Sequence, residues 1–215
     1  MSEQETDNTL LEAFGKFGRL QDALGRDVSQ LWLDAVDFLT KSNPDKPRVS
    51  ADRRRQLARA AVLTAAAAFE AVTNYLSGQV VQAGAVGGGK SLSQAESDCL
   101  REKRKVLEGG KIKERRQMYS SKDRFLLLFT LLSQGHDVGQ KGRADLERSF
   151  EVRDRLVHPR PGDSVDLLGD NTARNAVLGF LMADVLLAQV WDKARKYQPV
   201  SSTGFASLLR HARNN

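Results

Sequence analysis

The stretch ADRRRQLARAAVLTAAAAFEAVTNYLSGQVVQ, residues 51–82, decides the fold class. Leu57, Ala61, Ala65, Ala68, Val72 and Leu76 recur in it at spacings of three and four. On a helix with 3.6 residues per turn these positions form one continuous apolar stripe. Its alanines leave room for a second helix to approach closely. The stretch therefore predicts a long helix that is one wall of a helical bundle.

Toward the C-terminus, glycines at 84–89 end this helix, and a charged helical stretch is expected at 92–108, with a basic connector to Arg116. Phe125, Leu128, Phe129 and Leu132 predict a helix over 122–134, capped near Ser121. Gly135 to Gly142 reads as a turn, followed by a helix over 143–158. Val177, Phe180, Leu181, Leu187 and Trp191 predict the last helix over 171–196. Toward the N-terminus, Leu11 and Phe14 fit a short helix at 8–18, and Leu31, Val36 and Leu39 another at 27–40. Pro44 and Pro47 mark 41–49 as a linker. No run alternates with the period of two expected of a half-buried strand. The expected architecture is all-α: a four-helix-bundle-like domain over 49–198, an N-terminal helical extension and linker over 1–48, and a tail over 199–215.

The chain has 215 residues with 33 Lys and Arg against 27 Asp and Glu, a net charge of +6. That balance favours an anionic partner, nucleic acid first. A single cysteine, Cys99, excludes an internal disulfide and a cysteine-cluster zinc site. The three histidines lie far apart without metal-ligand spacing, so no metal or other cofactor is expected. The acidic, polar start MSEQETDNTL does not read as a secretory signal, and no stretch reads as a membrane span. A cytoplasmic protein without a membrane partner is the expectation.

Residues 84–91, GAVGGGKS, fit the Walker A pattern, in which backbone amides cradle phosphates and the Lys and Ser reach phosphate and magnesium. That loop requires a buried strand before it and a parallel sheet around it. An alanine-rich helix leads in here instead, so nucleotide binding ranks third among the readings.

The segment FEVRDRLVHPRP, residues 150–161, holds the chemistry. At about 100° per residue from Phe150, Leu146 and Val157 cluster with it, Arg153 falls about 60° to one side, and Asp154 about 40° and His158 about 80° to the other. All three polar groups are thus expected on the packing face, whereas Arg148, Glu151 and Arg155 point to water. Charged groups on a packing face need a partner or a use. Pro159 pushes His158 out of the α region, to the helix end. A guanidinium, a carboxylate and an imidazole are the parts needed to break a phosphodiester without a metal. The plainer alternative is an Arg153–Asp154 ion pair with His158 at a helix C-terminus.

Other residues complete the candidate site. Lys103, Arg104, Lys111, Lys113, Arg115 and Arg116 form a basic run suited to an RNA backbone, with Tyr119 near it for base stacking. Arg155, between Arg153 and His158, and Arg160, just after Pro159, are candidates for further RNA contacts. Glu70 and Asn74 share a face of the long helix away from its apolar stripe and are candidates to support the cleft. Asp184, at the centre of the last helix's apolar face, is a candidate partner for Arg153.

The Arg-Asp-x-x-x-His-Pro segment at 153–159, AAAFEAVTNYL at 66–76, and DRFLLLFTLL at 123–132 followed by DLERSFEVRDRLVHPRP at 145–161 together resemble the HEPN family (higher eukaryotes and prokaryotes nucleotide-binding). The likeness covers about residues 50 to 196. It implies a metal-independent endoribonuclease of toxin or phage-defence type, working without a cofactor. Its implied partners are RNA, a second copy in a homodimer, and an antitoxin or regulatory protein. The 2′-hydroxyl of RNA would attack the neighbouring phosphate at a dimer cleft. His158 would be general base or acid, and Arg153 would stabilise charge on the phosphoryl oxygens. Asp154 stands where the family usually has Asn, and Arg160 where one subfamily has a modified Tyr. The alternative implied by these departures is a non-catalytic HEPN module that binds RNA or a partner protein.

Overall fold

A computed structural model describes residues 26–43, 49–86, 90–159, 166–167 and 169–196. The expected helix at 8–18, the tail at 199–215 and Arg160 lie outside the described residues. The order of elements is α1 (Arg26–Lys41), α2 (Ala51–Ala83), β1 (Ala85–Val86), β2 (Lys90–Ser91), α3 (Gln94–Leu100), β3 (Lys103–Glu108), β4 (Lys111–Arg116), α4 (Ser121–Leu132), α5 (Gln140–Val157) and α6 (Thr172–Lys196). The fold is mostly helical, as expected, and divides into two compact units. One comprises residues 1–75 and 138–188, the other 76–137 and 189–215.

The first unit packs four helical segments: α1, residues 51–75 of α2, α5, and residues 172–188 of α6. The α2 stripe is buried as its spacing predicts, with Ala61, Ala65, Ala68 and Val72 fully inaccessible. Three rings close the centre. Phe150 of α5 meets Phe69 of α2 edge-on at 5.6 Å and Phe180 of α6 edge-on at 5.1 Å. Such pairs add about 0.5–1.5 kcal/mol each beyond the area they bury. The α1 helix lies within the segment read as an N-terminal extension. It supplies fully buried Trp32 and Ala35 to this core, and the Trp32 indole N–H donates to Asp184 Oδ2 at 3.0 Å.

Close approach of α5 and α6 depends on Gly179. A Cβ there would collide with Ser149 Oγ and lie 2.8 Å from the Asp145 carbonyl oxygen. Gly179→Ala is therefore expected to destabilise the protein by about 1–3 kcal/mol, because overpacking outweighs alanine's better helix propensity. Chemical denaturation measures this, and a variant as stable as wild type would contradict the packing.

The second unit corrects the reading of 92–108 as helix and of the connector that follows. Helix α3 stops at Leu100, and β3 and β4 form an antiparallel hairpin in which Leu107 faces Ile112 and Lys103 faces Arg116. Gly109 and Gly110 make the turn with φ of 59° and 75°. Positive φ at both central residues suits a two-residue hairpin turn and selects Gly-Gly. The α3 start carries a capping box, Ser93 with Glu96. Ser120, one residue before the predicted cap, accepts from the Asp123 N–H at the start of α4. The predicted apolar face of α4, Phe125, Leu128, Phe129 and Leu132, is buried.

Two further readings concern residues 84–91 and α6. Residues 84–91 do not have the surroundings of a phosphate-binding loop. Ala85–Val86 pair antiparallel with Lys90–Ser91, and the next helix opens only at Gln94. The Lys and Ser thus lie in a short strand, not at a helix N-terminus where phosphate is favoured. Residues 87–89 lie outside the described residues. The α6 helix, over Thr172–Ala194, has the length and composition of a membrane span, although the sequence reading found no such stretch. Most of its apolar window is buried within the protein, which accounts for its composition.

Candidate functional site

The burial pattern of α5 sets the geometry around Arg153. Leu146, Ser149 and Leu156 are buried, Phe150 sits among the rings, and Val157 is 42% exposed. The packing face is thus turned by about 60° from the predicted one, toward Arg153. Arg153, Asp154 and His158 therefore do not share it. Arg153 is half-buried, whereas Asp154 and His158 are exposed.

Arg153 is clamped by two carboxylates. Its Nη2 lies 3.4 Å from Glu70 Oε1 of α2, and its Nη1 donates to Asp154 Oδ1 at 2.8 Å. The side chains of Arg153 and Glu70 are 30% and 34% exposed, so solvent weakens this pair only in part. Glu70, read as a candidate to support the cleft, thus stands beside Arg153. Asn74 is exposed on the next turn of α2. The local formal charge is one guanidinium against two carboxylates.

His158 ends the helix with φ −124° and ψ 64°, outside the α region as its proline neighbour requires. Its backbone N–H donates to the Asp154 carbonyl oxygen at 2.8 Å. Among the described residues no hydrogen bond joins the imidazole to the Asp154 carboxylate, which Arg153 engages instead. Arg59 of α2, which the sequence reading did not single out, donates to the Leu156 carbonyl oxygen at 2.8 Å. A cation there satisfies an unpaired carbonyl in the last turn and suits the negative end of the helix. Its signal was available: Arg59 and Glu70 are eleven residues apart, so they lie within about 20° on one face of α2. Both side chains reach the C-terminal half of α5.

Asp184 is not the partner of Arg153. It is fully buried, its Oδ2 accepts from Trp32, and its Oδ1 has no partner. Burial holds its carboxyl well above the ordinary aspartate range, and the indole hydrogen bond offsets this only in part.

In the second unit the hairpin displays the predicted basic residues. Lys103 pairs with Glu114 at 2.8 Å and Lys113 with Glu108 at 3.3 Å, Arg115 also pairs with Glu108, and Arg116 lies 3.4 Å from Glu102. The Lys103 ammonium keeps the Glu114 carboxyl below the usual glutamate range. Lys111 is exposed next to the turn. Arg104 lies in β3, with its side chain outside the described residues. Arg155, on α5 in the first unit, is exposed. A groove of about 490 Å³ between α5 and α6, lined by Lys141, Asp145, Arg148 and Met182 among others, does not include Arg153, Asp154 or His158. Among the described residues no group of three His, Cys, Asp or Glu is placed to hold a metal ion. Comparison with protein-family profiles, curated proteins and solved structures gives no match.

Proposed function

We propose that this protein is a metal-independent endoribonuclease of HEPN type, with Arg153 and His158 as its reacting groups. The observation that carries this reading is the end of α5. There an exposed imidazole follows a half-buried guanidinium whose direction is fixed by Glu70, on a helix terminus tied down by Arg59. Such an imidazole can take the proton of a 2′-hydroxyl or give one to the leaving 5′-oxygen. The guanidinium can stabilise charge building on the phosphoryl oxygens. One imidazole cannot do both proton transfers at once, so a two-fold dimer bringing two α5 ends together is part of the proposal.

A second reading has its own support. Arg153 already serves two carboxylates, so the segment is also suited to a module that binds RNA or a partner protein without cutting. The test is incubation of wild type, Arg153→Ala and His158→Ala with mixed RNA in EDTA, with analysis of product ends. Products with 2′,3′-cyclic phosphate and 5′-hydroxyl ends, lost in both variants, are expected. Cleavage that survives both substitutions removes the site, and binding without cleavage leaves the second reading.

A further inference from the structure

The net charge is concentrated in one element. Residues 101–116 hold eight Lys and Arg against three Glu, a net +5, which leaves +1 of the total +6 for the rest of the chain. The structure makes residues 103–116 of this segment a hairpin, and all three glutamates of the segment are already paired. Glu102 meets Arg116 and Arg124, Glu108 meets Lys113 and Arg115, and Glu114 meets Lys103. Lys105 and Lys111 make no ion pair among the described residues.

Just below the turn Leu107 and Ile112 pair directly across the strands, and they are 77% and 74% exposed. Side chains alternate along a strand, so Lys103 and Lys105 stand behind Leu107 on the same face of the ribbon. An aliphatic tip backed by cations is therefore a strongly charged and openly exposed feature of the second unit.

We infer that the β3–β4 hairpin is an arm that grips double-stranded RNA. Its lysines and arginines meet the backbone, and Leu107 and Ile112 press into the wide, shallow minor groove. This rests on RNA as the partner proposed above, but not on cleavage at Arg153 and His158. The residue types select the duplex. Single-strand platforms stack bases on aromatic rings, and residues 101–116 contain none; Tyr119, the stacking candidate, lies past the end of β4 and not on the ribbon. Aliphatic side chains instead act as wedges against stacked base steps in a minor groove, and the A-form minor groove is open to them. A B-form major groove also admits a ribbon, but Leu107 and Ile112 carry no hydrogen-bonding group with which to read its base edges. Two aliphatic side chains bury less apolar surface than a single myristoyl chain, which alone binds membranes only marginally. The cations also run along the whole ribbon, which suits lengthwise contact with a polyanion.

The test measures binding by the full chain carrying His158→Ala, so that cleavage does not interfere. The probes are an RNA duplex of about 16 base pairs or more, its single strand, the matching DNA duplex, and phosphatidylserine vesicles. Duplex RNA is expected to bind about tenfold or more tighter than the single strand or the DNA duplex, with weaker binding to vesicles. Lys105→Gln with Lys111→Gln should lower the salt slope by about one per cation removed. Leu107→Ser with Ile112→Ser should weaken binding about tenfold with the slope unchanged. Both pairs are exposed, and equal melting temperatures verify that the variants fold. Equal or tighter binding to any of the other probes, or wild-type affinity in both double variants, overturns the arm. Duplex binding of the expected kind by a protein that cleaves nothing removes the nuclease reading alone.

Discussion

Trp32→Ala is expected to lower the unfolding free energy by about 3–5 kcal/mol, the range for truncating a buried aromatic. The side chain is fully inaccessible, and among the described residues its indole makes the one hydrogen bond that reaches the fully buried Asp184 carboxyl. Trp32→Phe separates the two losses. It keeps most of the ring volume and removes the donor, and should cost about 1–3 kcal/mol. Urea unfolding at fixed pH distinguishes them, and a Trp32→Ala variant within 1 kcal/mol or so of wild type would place α1 outside the folded core. The same pair predicts a pH dependence. Because the folded Asp184 carboxyl binds its proton more tightly than the unfolded one, its contribution to stability is complete below the ordinary aspartate range. It is lost as pH rises through the raised folded value. Asp184→Asn keeps an acceptor for the indole and cannot ionise, so it should abolish that decline. Parallel stability profiles for wild type and Asp184→Asn across about pH 4 to 9 would show that the carboxyl does not titrate in this way.

The fold was legible where side-chain type and position agree. The α2 stripe and the apolar face of α4 are buried as their spacings predict, because an all-α packing rewards apolar residues at three- and four-residue spacing. The hairpin was not, because cations fill half or more of each face of the ribbon, which hides the alternation. The Gly109–Gly110 pair between two basic runs was the signal that remained. The packing face of α5 was misplaced for a different reason. Ser149 is buried because its hydroxyl donates to the Asp145 carbonyl oxygen and Gly179 leaves it room. A reading that counts only apolar residues gives no weight to such a serine, so the predicted face drifted toward Val157.

Around Arg153, the local ion pair with Asp154 was legible in the sequence, and the long-range partners were not. Arg153 and Glu70 lie 83 positions apart in sequence and still meet. Each appeared separately as a polar residue on or beside a packing helix. Trp32 and Asp184 are 152 positions apart. Asp184 was legible as a carboxyl on an apolar face, but nothing local names its partner, since any buried donor meets the need. Charge is the strongest complement visible in a sequence, and it points to Arg153. The folded chain instead leaves Arg153 with Glu70 and Asp154, and gives Asp184 a neutral donor.

His158→Ala is expected to reduce RNA cleavage by about 10²- to 10⁴-fold, the range for removing a positioned general acid or base. Arg153→Ala should reduce it by about 10²- to 10³-fold through lost charge stabilisation. Asp154 then becomes the most informative position. With Arg153 between Glu70 and Asp154, the cluster carries one more negative than positive charge, and an approaching phosphate is repelled. Asp154→Asn removes one negative charge and leaves a side-chain acceptor for Arg153. It should therefore raise cleavage several-fold, most clearly at low salt, where charge is least screened. Glu70→Gln tests the clamp from the other side. It also lowers the negative charge, but it loosens the half-buried guanidinium from α2, so gain from charge and loss from positioning oppose each other. If Asp154→Asn abolishes cleavage as completely as His158→Ala, the carboxylate is itself required, and the charge argument fails. If Asp154→Asn is active and Glu70→Gln is not, the fixed direction of Arg153 matters more than its net charge. That outcome would make α2, rather than the signature segment alone, part of the machinery.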